Sequence, residues 1–322
     1  MAYRVLIPQA VAREGVDYLK ERGYEVIDGS GTTEEDLIRD VKDCDAILLR
    51  TAVVSRAVLE AGTKLRIVAR HGAGYNNVDL KAAEELGIWV TNAPDSTTNT
   101  VAEFTLGALI ALAKRSVLMS SKLHAGDYWY KNTHKGTDLI GKTLSVVGFG
   151  RIGREVAKKA HYGLGMKILA YDPKGRTEDT PDYVEIVDWE RAFSEADFVT
   201  LHMPLTATNR GSIGEKEFLM MKPEAQLLNC ARGEVVDQKA LTAALRKGEI
   251  AGAFLDVLEQ EPPAPDDPLL SMENVILTPH MASNTEECMA LMATQAASQI
   301  HRVLSGEKPD WPVNRPESPR AL

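Results

Sequence analysis

Short apolar runs alternate with amphipathic helical patterns in two separate series, and this alternation limits the fold more than any other feature. Over residues 1–95 the runs are YRVLIP, YEVID, DAILLR, RIVAR and IWVTNAP. Between them lie VAREGVDYLKERG, TTEEDLIRDVKDC, SRAVLEAGTK and VDLKAAEELG. A strand followed by a helix and another strand rejoins the same sheet in parallel, with the helix crossing one face. A second series starts at Lys142 with TLSVVGFG, MKILAYD, DFVTLHMP, AQLLNCAR, AGAFLDV and NVILTPH, six strands in all, the count of a Rossmann sheet. A chain of 322 residues also exceeds what one core ordinarily serves. The expectation is an α/β chain with two doubly wound parallel-sheet domains, a Rossmann domain inserted in a flavodoxin-like one. Residues 1–98 plus 285–322 would form the first domain and residues 99–284 the second.

The junction has its own signals. NAPDSTTN breaks the pattern, and Thr100 with Glu103 reads as a capping box opening the helix VAEFTLGALIALAKRSVLMSSKL. The first half of that helix is apolar on nearly every face, which buries it all round, in the core or in a subunit interface. A homodimer is expected from it. HAGDYWYKNTHKGTDLIG, polar and aromatic, reads as an arm or long loop, with Trp129 and Tyr130 as interface packing. After His280 a long helical pattern, TEECMALMATQAASQIHRVLSG, leads into a Pro-rich tail. Hinges are expected near residues 94–100 and 283–285, where the chain crosses between domains.

Composition excludes several classes. A net charge of −9 argues against a nucleic-acid groove or an anionic membrane surface. The N-terminus lacks the apolar core of a signal peptide, and the apolar stretch at residues 104–113 is too short to span a bilayer. Cys44, Cys230 and Cys288 are an odd, scattered set without a CxxC pair. Neither a disulfide framework nor a metal site is expected, and the cytoplasm fits best.

The turn Gly148-Phe149-Gly150-Arg151-Ile152-Gly153 leaves the apolar strand LSVV and enters a helix. Alone, GxGxxG is a weak signal. Here the following strand ends in Asp172, about 20 residues after the last glycine, where a carboxylate meets the ribose hydroxyls of a dinucleotide. Gly148 serves the tight turn, Gly150 the approach to a pyrophosphate, and Gly153 the close helix packing. The pyrophosphate would lie on the helix N-terminus. Asp172 repels a 2′-phosphate and so favours NAD. Lys174 and Arg176, just beyond, read as solvated loop cations.

Three more polar residues follow later strands: Arg232 after AQLLNC, Glu261 after AGAFLDV, and His280 after NVILTP. Ligands of open α/β sheets bind beyond the carboxyl ends of the strands, so these side chains converge. Arg232 offers a fork matching a carboxylate, with surface pairing to Glu234 as the duller alternative. His280 is an acid/base near neutrality, and Glu261 would favour its imidazolium. Together they suit hydride chemistry on a 2-keto or 2-hydroxy acid.

These segments, with GAGYNNVDLKAA, TVAEFTLGALIALAKR, LIGKTLSVVGFGRIGREVA, HMPLTATNRGSI, LLNCARGEVVD, AFLDVLEQEPP, NVILTPHMAS and the tail PVN, run nearly end to end. The chain resembles the D-2-hydroxyacid dehydrogenase family, which includes phosphoglycerate dehydrogenase and glyoxylate/hydroxypyruvate reductase. The resemblance implies an NAD-dependent dehydrogenase with Arg232, Glu261 and His280 as its catalytic set. It implies that the backbone N–H groups of Ala73 and Gly74, with Arg232, hold the substrate carboxylate. It places Thr100, Arg151, Ile152, Asp172, Pro204, Asn209, Cys230, Ala231, Asp256, His280 and Ser283 at NAD-contacting positions beside the three glycines, Asp256 towards the nicotinamide carboxamide. Asn209 stands where Thr is commoner, which puts that one contact in doubt. Formate dehydrogenases of the superfamily pair the histidine with Gln, so Glu261 argues against formate. Arg50 and Arg70 match phosphate-binding arginines of phosphoglycerate dehydrogenases and would suit a phosphorylated substrate. His71 reads as a loop hydrogen-bonder. An appended regulatory domain of the kind many phosphoglycerate dehydrogenases carry is not expected after Leu322. Hydroxypyruvate or glyoxylate stays close behind as substrate. The C-terminal-binding corepressors also resemble this family, so an NAD-sensing scaffold is the alternative function, although no long disordered tail suits that role.

Overall fold

The computed structural model of the chain describes residues 2–321. By internal contacts it divides into Met1–Thr97 with Ser283–Leu322, and Thr98–Ala282. In the first unit β1 (Arg4–Ile7), β2 (Glu25–Asp28), β3 (Ala46–Leu49), β4 (Ile67–Arg70) and β5 (Trp89–Thr91) lie in the order β2-β1-β3-β4-β5, all parallel. This is the expected flavodoxin-like order. β3 reads AILL with every residue buried, as a central strand covered on both faces must. Leu37, Val58, Leu59, Ala82 and Ala83, from three short helices, fill one side. Leu19 and the C-terminal helix Glu286–Leu304, through Ala296, Ala297 and Ile300, fill the other.

The second unit holds β6 (Thr143–Val147), β7 (Lys167–Tyr171), β8 (Val184–Ile186), β9 (Phe198–Leu201), β10 (Gln226–Asn229), β11 (Gly252–Leu255) and β12 (Val275–Leu277), also all parallel. Their order is β12-β11-β10-β9-β6-β7-β8. The sheet therefore has seven strands where six were expected. The missed strand is β8, three residues at the sheet edge with too little pattern to read, and β12 extends the Rossmann order by one. Helices Thr98–Ala113 and Arg151–Leu164 pack one face through Val101, Leu109, Leu112, Val156 and Ala160. Phe193, Phe218, Leu241 and Leu245 pack the other. Among the described residues no helix is long and apolar enough to cross a membrane.

The junction helix departs from expectation in two ways. It starts at Thr98, so Thr100 lies inside the first turn and caps nothing; Glu103 instead accepts from the Asn99 amide. It also ends early. Thr137 N donates to Ala113 O and Lys114 pairs with Asp138, while Arg115 turns left-handed at φ 53, and a separate helix runs Ser116–His124. In the single chain one stripe of it is uncovered. Glu103, Gly107 and Ile110 face outward, Ile110 being 40% exposed. The following arm stays irregular apart from one 3-10 turn, Tyr128–Asn132.

Candidate active site

The glycine turn is crowded at two of its three glycines, Gly148 and Gly153. Gly148 takes φ +97, and a Cβ there would lie 2.7 Å from His202 C and Met203 N. A Cβ on Gly153 would lie 2.2 Å from Gly148 O, so the helix Arg151–Leu164 rests directly on the turn. At Gly150 a Cβ would meet nothing within 4 Å. Gly150 is the N-cap of that helix and no side chain caps it, so Arg151 and Ile152 open a helix end with open space before it.

Asp172, one residue past β7, accepts from Phe149 N (3.1 Å) and Lys174 N (3.0 Å), which fixes its carboxylate against the turn. Arg154 ties the same turn to its neighbour by donating to Phe149 O and Asp179 O. Lys174 and Arg176 are exposed, Arg176 pairing with Asp182. Pro204 and Asn209 lie in the loop after β9, where Asn209 donates to Pro204 O (2.8 Å) and accepts from Thr206 N (2.7 Å). Cys230 is buried just past β10, and burial pushes its thiol up to about 12. Thr100 stands in the first turn of its helix, and Ser283 belongs to the first unit.

Arg232, Glu261 and His280 follow β10, β11 and β12, three strands adjacent in the sheet and parallel. Glu261 and His280 meet through that topology and not through sequence proximity, and Arg232 stands beyond the neighbouring strand. Glu261 Oε2 bonds His280 Nδ1 at 2.7 Å, and its Oε1 accepts from Leu258 N at 3.0 Å. The carboxylate thus fixes one imidazole nitrogen and leaves Nε2 for other work. Half-buried Arg232 donates to Ala231 O (2.6 Å), and among the described residues it forms no ion pair. Glu234, the duller partner, pairs with Arg210 instead. Burial pushes the Arg232 guanidinium below its usual range, opposed by Glu234 and Glu261.

Two supporting residues shape these turns. Buried Asn229 donates to Arg232 O (2.9 Å) and accepts from Ala231 N (3.0 Å). Asp256 is 1% exposed and spends both oxygens on the turn that holds His280. Its Oδ1 accepts from Thr278 Oγ1 (2.6 Å) and Met281 N (2.8 Å), and its Oδ2 from Ala282 N (2.9 Å). Neither Asn229 nor Thr278 belongs to a motif legible in the sequence. The only signal for Asn229 is a polar residue at the end of an otherwise apolar strand.

Within the first unit, Arg50 and Arg70 stand at the ends of neighbouring strands, β3 and β4. Ala73 and Gly74 lie in the loop after β4, with Ala73 O held by Asn92 Nδ2 at 2.7 Å and Gly72 O by Ala93 N at 2.9 Å. His71 is buried beside them and bonds Met289 O at 3.3 Å.

Residues 106–282 match the model of the D-isomer specific 2-hydroxyacid dehydrogenase NAD binding domain. A glyoxylate reductase of Korarchaeum cryptofilum is 42% identical over 98% of this chain and 97% of its own. The chain belongs to the D-isomer specific 2-hydroxyacid dehydrogenase family. A D-3-phosphoglycerate dehydrogenase of Methanocaldococcus jannaschii is also 42% identical over 98% of this chain, but the match spans only 60% of that protein. Among solved structures, an NADPH-dependent glyoxylate/hydroxypyruvate reductase of Sinorhizobium meliloti, in complex with NADP and malonate, superposes with a TM-score of 0.88. It is 28% identical and covered in full, as is this chain. The second unit thus holds the nicotinamide dinucleotide binding domain of this dehydrogenase family. The residues present fit such a group, since the open face at Gly150 and the uncapped helix end suit a pyrophosphate and the fixed Asp172 suits a ribose.

Proposed function

We propose that this protein reduces 2-keto acids to D-2-hydroxy acids, and reverses that reaction, with NAD as its cofactor. The observation that carries the reading is the 2.7 Å Glu261–His280 pair, at the same sheet end as an Arg232 without an ion pair among the described residues. The nicotinamide, when bound, supplies or accepts the hydride. Gly148, Gly150, Arg151, Ile152, Gly153 and Asp172 would hold the dinucleotide, with Thr100, Pro204, Asn209, Cys230, Ala231, Asp256 and Ser283 as further contacts.

The remaining steps belong to side chains. Arg232 grips the substrate carboxylate with its planar fork, helped by the N–H groups of Ala73 and Gly74, and polarises the carbonyl. His280 Nε2 gives its proton to the carbonyl oxygen in reduction and takes it back in oxidation. Glu261, bonded at Nδ1, fixes the ring and leaves Nε2 towards the substrate. A carboxylate at Asp172 opposes a 2′-phosphate, which supports NAD over NADP. Arg50 and Arg70 supply two positive charges, which support a phosphorylated or doubly anionic substrate, with hydroxypyruvate and glyoxylate as the smaller rivals. Exposed Ile110, Val117, Leu123, Tyr128 and Trp129 support a homodimer through residues 98–134.

A panel of glyoxylate, hydroxypyruvate, phosphohydroxypyruvate and pyruvate with NADH tests the reading. Turnover on none of them would refute it. His280→Ala should lower kcat by about 10²- to 10⁴-fold while NADH still binds; lost binding would show that His280 serves the cofactor instead.

A further inference from the structure

One side chain ties together the two strand ends that carry Arg50 and Arg70. Asn77 lies in the loop after β4. Its Oδ1 accepts from Arg70 Nε at 3.1 Å. Its Nδ2 donates to Ala52 O at 2.8 Å and, at longer range, to Arg50 O at 3.4 Å. β3 and β4 pair Leu49 with Arg70, so Arg50 is the first residue beyond the ladder. The same carboxamide therefore holds one guanidinium and the backbone that bears the other.

The surroundings leave the Arg70 guanidinium little freedom. Arg70 Nη1 donates to His71 O. Gly72 adopts φ +129, and a Cβ there would sit 3.2 Å from Arg70 Nη1, so the loop closes directly onto the guanidinium. His71 adds no charge at neutral pH. Burial first, then Arg70 and to a lesser degree Arg50, push it down to about 4. The positive charge at these two strand ends is therefore that of the two arginines.

We propose that Asn77 is a positioning residue that sets how well this protein discriminates a doubly anionic 2-keto acid from a singly anionic one, by fixing the Arg70 guanidinium relative to the Arg50 backbone. This rests on the reading that Arg50 and Arg70 meet the second anionic group of the substrate. Only a carboxamide serves both ends of the tie. The guanidinium requires an acceptor and Ala52 O requires a donor. Alanine removes both. Aspartate keeps the acceptor, sets an oxygen against Ala52 O, and places a negative charge beside the cations.

The test is steady-state kinetics of the full-length protein with saturating NADH, on phosphohydroxypyruvate and on glyoxylate. Wild type, Asn77→Ala, Asn77→Asp and Arg70→Ala are compared, with thermal unfolding of each. Asn77→Ala should raise the KM ratio of phosphohydroxypyruvate to glyoxylate by about tenfold, the size expected for one misplaced charge-assisted contact, with the change in KM and not in kcat. Asn77→Asp should raise the ratio further, and it decides the matter if the alanine variant does not fold. Equal KM changes for both substrates in both Asn77 variants, while Arg70→Ala still separates the substrates, would overturn the positioning role alone. If Arg70→Ala also fails to separate them, the reading of the arginines falls, and the proposal with it.

Discussion

His280 occupies a left-handed backbone, φ 50, that costs a non-glycine residue energy unless its surroundings impose it. Asp256 imposes it. Its carboxylate collects Thr278, Met281 and Ala282, and its own carbonyl accepts from His280 N at 2.8 Å. Asp256→Asn replaces one buried acceptor with a donor facing an N–H, and should cost about 1–3 kcal/mol in urea unfolding and lower kcat. An unchanged kcat would mean that the His280 turn holds without it. His71 makes a pH prediction. Its folded pKa of about 4 lies below the ordinary 6.5. The unfolded chain therefore binds the extra proton first, and stability is lost as pH falls from 6.5 towards 4. The loss should approach roughly 3 kcal/mol, and His71→Gln should flatten that part of the urea-unfolding profile against pH.

Between elements, the trio depends on loops of unequal length after three neighbouring strands. Gly233 shows how closely those loops pack. A Cβ there would fall 1.9 Å from Leu258 O and 2.6 Å from Glu259 N, on the loop whose Leu258 N also binds Glu261. Gly233→Ala must push that loop away, and with it the partner of His280. It should cost about 1–3 kcal/mol of stability and reduce kcat more than it weakens NADH binding. A variant with normal kcat would show that the Glu261 loop moves as a unit without consequence. The strand–helix alternation was legible at this scale because βα periodicity is local. The edge strand β8 was not, since three residues carry almost no periodicity. The break at Arg115 was also hidden. The apolar pattern runs through it, and what stops the helix is a segment more than 20 residues later, Thr137 and Asp138.

At the scale of the molecule, each unit has its own core. The clusters around β6–β12 draw only on residues 101–282, and those around β1–β5 only on the chain before and after them. A fragment of residues 98–282 should therefore fold and enhance NADH fluorescence without turning over any 2-keto acid. A fragment that stays unfolded would show that its cores need the rest of the chain. The exposed apolar residues predict self-association. Ile110→Lys with Leu123→Lys should shift the mass measured by light scattering from dimer to monomer, and a monomeric wild type would refute the dimer.

The sequence by itself determined two parallel sheets, the glycine turn with Asp172, and the three residues placed after strands, because each rests on local periodicity or on a short motif. Only the tertiary structure decided which polar side chains brace that chemistry. Asp256 reaches residues 22 to 26 positions away, and Asn77 reaches back 25 to Ala52. Such bonds exist once parallel strands bring their ends side by side, and nothing in the linear order of residues records which ends become neighbours.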